Sequence, residues 1–146
     1  MKKLLISACL LGEPCRYDGK SKPLDAALLA KLKESYQLIP VCPEQLGGLP
    51  TPRTPSERVG QQVLMENGRD VTAEYRRGAA EALRLAQEHR CTLALLKERS
   101  PSCGSGEIYD GTFTRSLTSG DGVTAQLLKD RGFTVYGEST LEELLS

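Results

Sequence analysis

The chain reads TLALLKERSPSCG over residues 92–104, and its organisation can be worked out from this segment. Residues 92–96 form a short apolar run that is typical of a buried strand. Pro101 stops a strand ladder at that point and keeps Ser100 out of the helical region. Gly104 lets the backbone approach a bound group closely. The segment therefore predicts a strand that ends in an irregular loop carrying a thiol and two hydroxyls, and such loops often hold ligands.

On both sides of this segment, strand patterns alternate with helix patterns. Strands are predicted at residues 3–8, 37–42, 91–96 and 133–136. Helices are predicted at about residues 24–34, from a cap at Asp70 or Thr72 to about His89, from Ser119 or Asp121 to Gly132, and from Thr140. This alternation favours right-handed crossovers and a mostly parallel sheet. We therefore predict one small, doubly wound, Rossmann-like α/β domain over residues 1–146, with helices on both faces of the sheet.

Glycine and proline predict the irregular parts of this domain. Asn67-Gly68 and Asp110-Gly111 each lie between short apolar segments and favour tight turns, so two small β-hairpin insertions are expected. Residues 43–55 are so rich in proline and glycine that we predict no regular structure there. Pro40 lies inside the second predicted strand, which indicates an edge position in the sheet.

The composition argues against several classes of partner. Nineteen basic residues balance nineteen acidic ones, so neither nucleic acid nor an anionic membrane is an expected partner. No segment approaches the roughly 20 apolar residues of a membrane span. The apolar run near the N-terminus, residues 4–6, is too short for a secretory signal, and we predict a cytoplasmic protein. In that compartment disulfides are rare, and clustered cysteines more often indicate metal binding or catalysis.

Three of the five cysteines follow the predicted strands. Cys9 ends the first strand, Cys42 ends the second, and Cys103 lies in the loop after the third. The carboxyl ends of parallel strands meet at one edge of the sheet, where open α/β folds bind ligands. We therefore expect these three thiols to lie together. Cys91 opens a strand and is interpreted as a core residue, whereas Cys15 is either a fourth ligand or a bystander.

The surrounding sequence narrows what such thiols could hold. The one histidine, His89, lies at a helix end and is interpreted as solvated, and there is no Cys-x-x-Cys pair. All-thiolate ligation favours an iron–sulfur cluster, with zinc as the second choice. Three ligands would leave one iron open as a Lewis acid. The spacing from Cys9 to Arg16 is one residue too long for a cysteine-phosphatase loop, and no nucleotide-binding P-loop motif occurs.

Polar residues near these cysteines are candidates for the chemistry. Glu44 stands two residues after the second cysteine and is a candidate acid–base group. Ser100 and Ser102 are candidate donors to a substrate oxygen or sulfur, and serine is also common in turns. Arg53 and Arg99 are candidate substrate-binding residues for an anionic or polar ligand, a solvated surface role being the alternative for each.

Taken together, the motifs resemble those of the thiouracil desulfidase family of small bacterial proteins. They occur in order along nearly the whole chain, and their combination is far more specific than any one of them. The matching motifs are CLLG at 9–12, CRYDG at 15–19, CPE at 42–44, GGLPTPR at 47–53, DVT at 70–72 and ERSPSCG at 98–104.

The resemblance implies a [4Fe–4S] cluster held by Cys9, Cys42 and Cys103, with the fourth iron free to take the sulfur of a thiolated nucleobase. It further implies a non-redox reaction that converts thiouracil into uracil and sulfide, with Glu44 and Ser100 as the acid–base residues. The implied partner is a small-molecule thiolated base, and the sequence gives no indication of the oligomeric state. A non-catalytic metal-binding regulator or sulfur carrier that uses the same three thiolates is the alternative.

Overall fold

The structure is a computed structural model that describes residues 1–145, and a four-stranded parallel sheet lies at its centre. The strands are β1 Lys2–Ser7, β2 Tyr36–Val41, β3 Ser56–Val59, β4 Gln62–Met65, β5 Leu93–Leu95, β6 Glu107–Tyr109, β7 Leu117–Ser119 and β8 Thr134–Tyr136. The α-helices are α1 Ala26–Ser35, α2 Pro43–Leu46, α3 Thr72–Glu88 and α4 Val123–Asp130. Short 3-10 helices cover Ala8–Leu11 and Glu138–Leu144. The predicted mostly parallel α/β fold is confirmed.

The central sheet has the strand order β2-β1-β5-β8, with every neighbouring pair parallel. From β1 the chain passes to β2 on one side and later returns to β5 on the other side. The order therefore reverses between β1 and β5, and the crevice outside their carboxyl ends is the usual ligand position in such sheets. The β2 strand lies at an edge, as Pro40 predicted.

Both faces of this sheet are buried. Successive side chains of a strand point to opposite faces, so Leu4 packs with Leu32 of α1 and Leu141 near the C-terminus, whereas Leu5 packs with Leu83 of α3. Burying side chains of this size stabilises the fold by roughly 1.5–3 kcal/mol each. The helices therefore lie on both faces, as expected. No helix within residues 1–145 combines the length and apolar character needed to cross a membrane.

Three local predictions were wrong in detail. A short helix, α2, begins at Pro43, which suits the first turn of a helix because its missing N–H has no intrahelical role there. The first hairpin pairs β3 with β4, while the turn at Asn67-Gly68 adds a bridge between Leu64 and Asp70. The second hairpin pairs β6 with β7 across a longer connection than Asp110-Gly111 predicted, namely residues 110–116.

Candidate active site

The carboxyl edge of the sheet opens into a cavity of about 630 Å³. This volume falls within the roughly 300–1,000 Å³ of small-molecule sites. Its walls include Cys9, Cys15, Cys42, Cys103, Glu44, Arg53, Arg99 and Ser100. Every candidate site residue from the sequence except Ser102 therefore lines one cavity.

Three adjacent strands deliver the three predicted cysteines. Cys9 lies in the 3-10 turn directly after β1, Cys42 caps the N-terminus of α2 directly after β2, and Cys103 lies in the loop after β5. All five cysteines are free thiols, and Cys9 and Cys103 are buried. Burial, followed by the nearby charge of Glu44, raises the pKa of the Cys103 thiol. A metal bound here would have to displace the thiol protons.

Cys15 joins this group. It is buried, and its carbonyl oxygen accepts a hydrogen bond from the Cys42 thiol at 3.7 Å. The Cys15 thiol also interacts with the thiols of Cys42 and Cys9. The hydrogen bond with the Cys42 thiol lowers the pKa of Cys15, but the hydrogen bond with Cys9, burial and nearby charge outweigh this effect, and the pKa rises to about 11. The contact with Cys15 is also the largest cause of the raised pKa of Cys42. Cys15 therefore lies among the predicted ligands, while Cys91 is part of the core, as expected.

Glu44 and Arg53 form a buried ion pair. The Arg53 Nη2 and Glu44 Oε2 atoms are 3.5 Å apart, and the two side chains are only 4% and 13% exposed. Burial raises the pKa of Glu44, and the charge of Arg53 works against that rise. Arg53 also donates to the carbonyl oxygens of Cys15 and Pro50 and to the Thr51 hydroxyl. Its guanidinium is therefore engaged by the protein itself, and it fixes the position of the Glu44 carboxylate.

Helix α2, which carries Glu44, is seated directly on α3. A Cβ atom on Gly78 would lie 1.9 Å from the carbonyl oxygen of Pro43, and one on Gly47 would lie 2.0 Å from that of Glu74. Two glycines thus allow the two backbones to touch. This contact fixes the position of α2, and therefore the position of Glu44 in the cavity wall.

The loop after β5 is ordered by its own serines. The Ser100 hydroxyl oxygen accepts the backbone N–H groups of Ser102 and Cys103, both at 3.1 Å. Ser102 is fully buried, and its hydroxyl is 2.7 Å from that of Thr124 in α4. The structure thus places Ser100 on the cavity wall and Ser102 against α4. Arg99 lines the rim and pairs with Glu107 at 3.6 Å in an exposed position.

The segment after β8 holds the start of this loop. Glu138 accepts the backbone N–H of Glu98 at 2.6 Å and pairs with Lys97 at 3.1 Å. The backbone N–H of Lys97 in turn donates to the Ser7 hydroxyl at 2.9 Å. These contacts join the carboxyl ends of β1, β5 and β8, and they involve sequence positions that no spacing rule connects.

Further cavity residues were missed from the sequence. Ser7, Glu57, Tyr75, Tyr109, Phe113 and Arg115 also line the cavity. The run Asp110-Gly111-Thr112-Phe113 predicts a turn, and the general tendency of loops to carry binding residues is the one signal that points to Phe113.

The donor set fits an iron–sulfur cluster, because thiolates are the usual ligands of such clusters. Within residues 1–145, no three His, Cys, Asp or Glu side chains converge as one preformed metal-ion site. Cys9, Cys42 and Cys103 would hold such a cluster as thiolates. All three line the cavity of about 630 Å³, together with Cys15.

Fold and site together define a class of protein: a parallel α/β fold with a thiol-lined cavity at the carboxyl edge of its sheet and a buried carboxylate beside the thiols. The sequence model of the family described as 2-thiouracil desulfurase matches residues 4–140. The chain belongs to this family, and the resemblance seen in its motifs is confirmed.

Two relatives extend this finding. The uncharacterized protein YbbK of Bacillus subtilis (strain 168) is 41% identical over 152 residues, which cover 97% of this chain and 99% of YbbK. The solved structure of the [4Fe–4S]-dependent thiouracil desulfidase TudS superposes with a TM-score of 0.94 at 49% identity, covering 99% of this chain and 95% of that one. The α/β fold is thus shared over essentially the whole length.

Proposed function

We propose that this protein is a [4Fe–4S]-dependent desulfidase that hydrolyses a thiolated pyrimidine base, converting 2-thiouracil and water into uracil and hydrogen sulfide. The observation that carries the proposal is that Cys9, Cys42 and Cys103 all line one cavity, at the ends of three adjacent strands. Family membership and the similarity to TudS support it.

Cys9, Cys42 and Cys103 would hold the cluster as thiolates. When bound, the cluster would supply a Lewis-acidic iron that polarises the C–S bond and stabilises the departing sulfide. The reaction forms one C–O bond and breaks one C–S bond without any change of oxidation state. It requires no external reductant.

Glu44 is the proposed general base. Its carboxylate lies within the cavity wall and is held by Arg53. It would take a proton from the attacking water and then return one to the leaving sulfur. A positioned acid–base group of this kind contributes typically about 10²–10⁴-fold to a rate.

Ser100 is proposed to orient the thiolated base of the substrate. Its oxygen accepts two backbone N–H groups, which leaves the hydroxyl proton available to the cavity. That proton could be donated to the exocyclic carbonyl oxygen or to the exocyclic sulfur of the base. In this proposal Arg99 at the rim contacts the substrate, whereas Arg53 and Ser102 contribute by holding Glu44 and the Cys103 loop.

The test is anaerobic reconstitution, followed by iron and sulfide analysis and a 2-thiouracil assay. We expect about four irons and four sulfides per chain and release of uracil and sulfide in equal amounts. One zinc per chain with no sulfide release would instead favour the non-catalytic metal-binding or sulfur-carrier alternative. A loaded cluster without thiouracil turnover would refute the substrate assignment.

A further inference from the structure

A buried carboxylate on β3 holds the loop that connects β6 with β7. Glu57 is only 8% exposed, and its Oε1 atom accepts the backbone N–H groups of Gly111 at 2.9 Å and Phe113 at 3.2 Å. Hydrogen bonds to an ionised acceptor are among the stronger ones in proteins. Glu57 therefore ties residues 110–116 to the first hairpin.

The backbone of this loop needs such support. Phe113 and Arg115 have φ values of 57° and 61°, which non-glycine residues rarely adopt and which cost conformational energy. Gly111 has a φ of 95°, and a Cβ there would lie 2.3 Å from Val59. The loop is thus seated directly on β3 in a conformation that its own sequence does not favour.

This strained conformation directs aromatic surface toward the cavity. Phe113 and Tyr109 both line the cavity that Cys9, Cys42 and Cys103 also line, and Phe113 is only half-buried. Planar bases stack readily on aromatic faces. Tyr75, by contrast, is buried in the core, so it offers little free surface.

We propose that residues 110–116 form the ring-binding wall of the site: Phe113 contacts the face of the thiolated pyrimidine, and Glu57 is the positioning residue that holds Phe113 there. This inference rests on the proposed function and adds the residues that recognise the ring. Tyr109, on the strand just before the loop, extends the same wall.

The variants Phe113→Leu and Phe113→Ala test the contact. Both should keep the iron content of the wild type and raise KM for 2-thiouracil, by roughly 5- to 150-fold for the alanine, the range expected for loss of base stacking, with a smaller change in kcat. Phe133→Leu is the matched control, because Phe133 packs against the core and its replacement should alter stability but not KM. An unchanged KM in Phe113→Ala overturns the inference.

The variants Glu57→Ala and Glu57→Gln test the anchor. In Glu57→Ala, amide hydrogen exchange across residues 110–116 should become faster and KM should rise. Glu57→Gln retains an acceptor oxygen, so its exchange rates and its KM should lie much closer to those of the wild type. Unchanged exchange in Glu57→Ala overturns the anchoring role whatever the activity. If the reconstituted wild type does not turn over thiouracil, the proposed function is refuted. If the wild type is active and Phe113→Ala has the same KM, only the inference about the ring-binding wall is refuted.

Discussion

The backbone of Gly78 in α3 lies against the carbonyl group of Pro43 in α2, so closely that a Cβ atom on Gly78 would stand 1.9 Å from the oxygen. Pro43 separates Cys42 from Glu44. The packing of α2 on α3 therefore fixes the position of Cys42, a proposed cluster ligand, and of Glu44, the proposed general base.

Gly78→Ala tests this contact. In an ordinary helix interior the change from glycine to alanine stabilises by roughly 0.5–1 kcal/mol, but here the clash should reverse the sign and destabilise by about 1–3 kcal/mol. We also expect lower iron retention, because α2 must shift. Thermal unfolding and iron analysis measure the two effects. Ala80→Gly, at an exposed position of the same helix, should cost about 1 kcal/mol by propensity alone and keep the iron; a stabilised Gly78→Ala would contradict the argument.

Replacing Cys9, Cys42 or Cys103 singly by alanine should prevent assembly of the cluster, since each supplies one of three ligands. Cys91→Ala is the matched control, because that buried cysteine packs among core side chains away from the cavity wall. Iron and sulfide analysis after anaerobic reconstitution is the measurement. Full iron content in any of the first three variants would remove that residue from the ligand set.

Glu44→Gln should keep the cluster and lower kcat by about 10²–10⁴-fold, the usual contribution of a positioned acid–base group. Wild-type turnover in this variant would exclude Glu44 from proton transfer. Absorption spectra and steady-state kinetics separate the two properties.

Arg53→Met leaves the Glu44 carboxylate buried without its partner, and breaking a buried pair in this way typically costs roughly 3–5 kcal/mol. Denaturant unfolding should show that loss, and the double variant with Glu44→Gln should recover part of it. Equal losses in the single and double variants would mean that Arg53 acts independently of Glu44.

Ser102→Ala should destabilise the fold by about 1–3 kcal/mol, because it leaves the buried Thr124 hydroxyl without its partner at 2.7 Å. The double variant Ser102→Ala/Thr124→Val lacks both hydroxyls, and its free energy of unfolding should be closer to that of the wild type than is that of Ser102→Ala alone. KM for 2-thiouracil should hardly change in either. A large KM effect with normal stability would restore the direct substrate contact that the sequence predicted for Ser102.

The sequence predicted those features for which a general rule relates a local residue pattern to a position in the fold. Short apolar runs identified the strands of the sheet, and the convergence of parallel strand ends brought Cys9, Cys42 and Cys103 to one cavity. Glu44 followed because only one residue separates it from Cys42. The extent of the domain, its cytoplasmic location and the absence of nucleic-acid or membrane partners stay predictions.

The missed features depend on contacts between distant segments. Nothing near Ser102 in sequence indicates that its hydroxyl meets Thr124, and Glu57 in a short strand gives no sign that it holds the loop around Phe113. The short helix α2 was overlooked because proline and glycine were counted as breakers, although Pro43 sits where a helix accepts proline and Gly47 where two backbones touch. Tertiary packing decided each of these positions.

The order of the strands has a consequence for the lifetime of the protein. The proposed ligands lie on neighbouring strands but far apart along the chain, so a cofactor bound to all three would act as a cross-link that closes two long loops. Because the unfolded chain does not present the three thiolates together, binding would also stabilise the folded state by mass action. Protein lacking the cofactor would then unfold more often and be more exposed to proteases. The amount of this protein in the cell would therefore follow the supply of iron and sulfide.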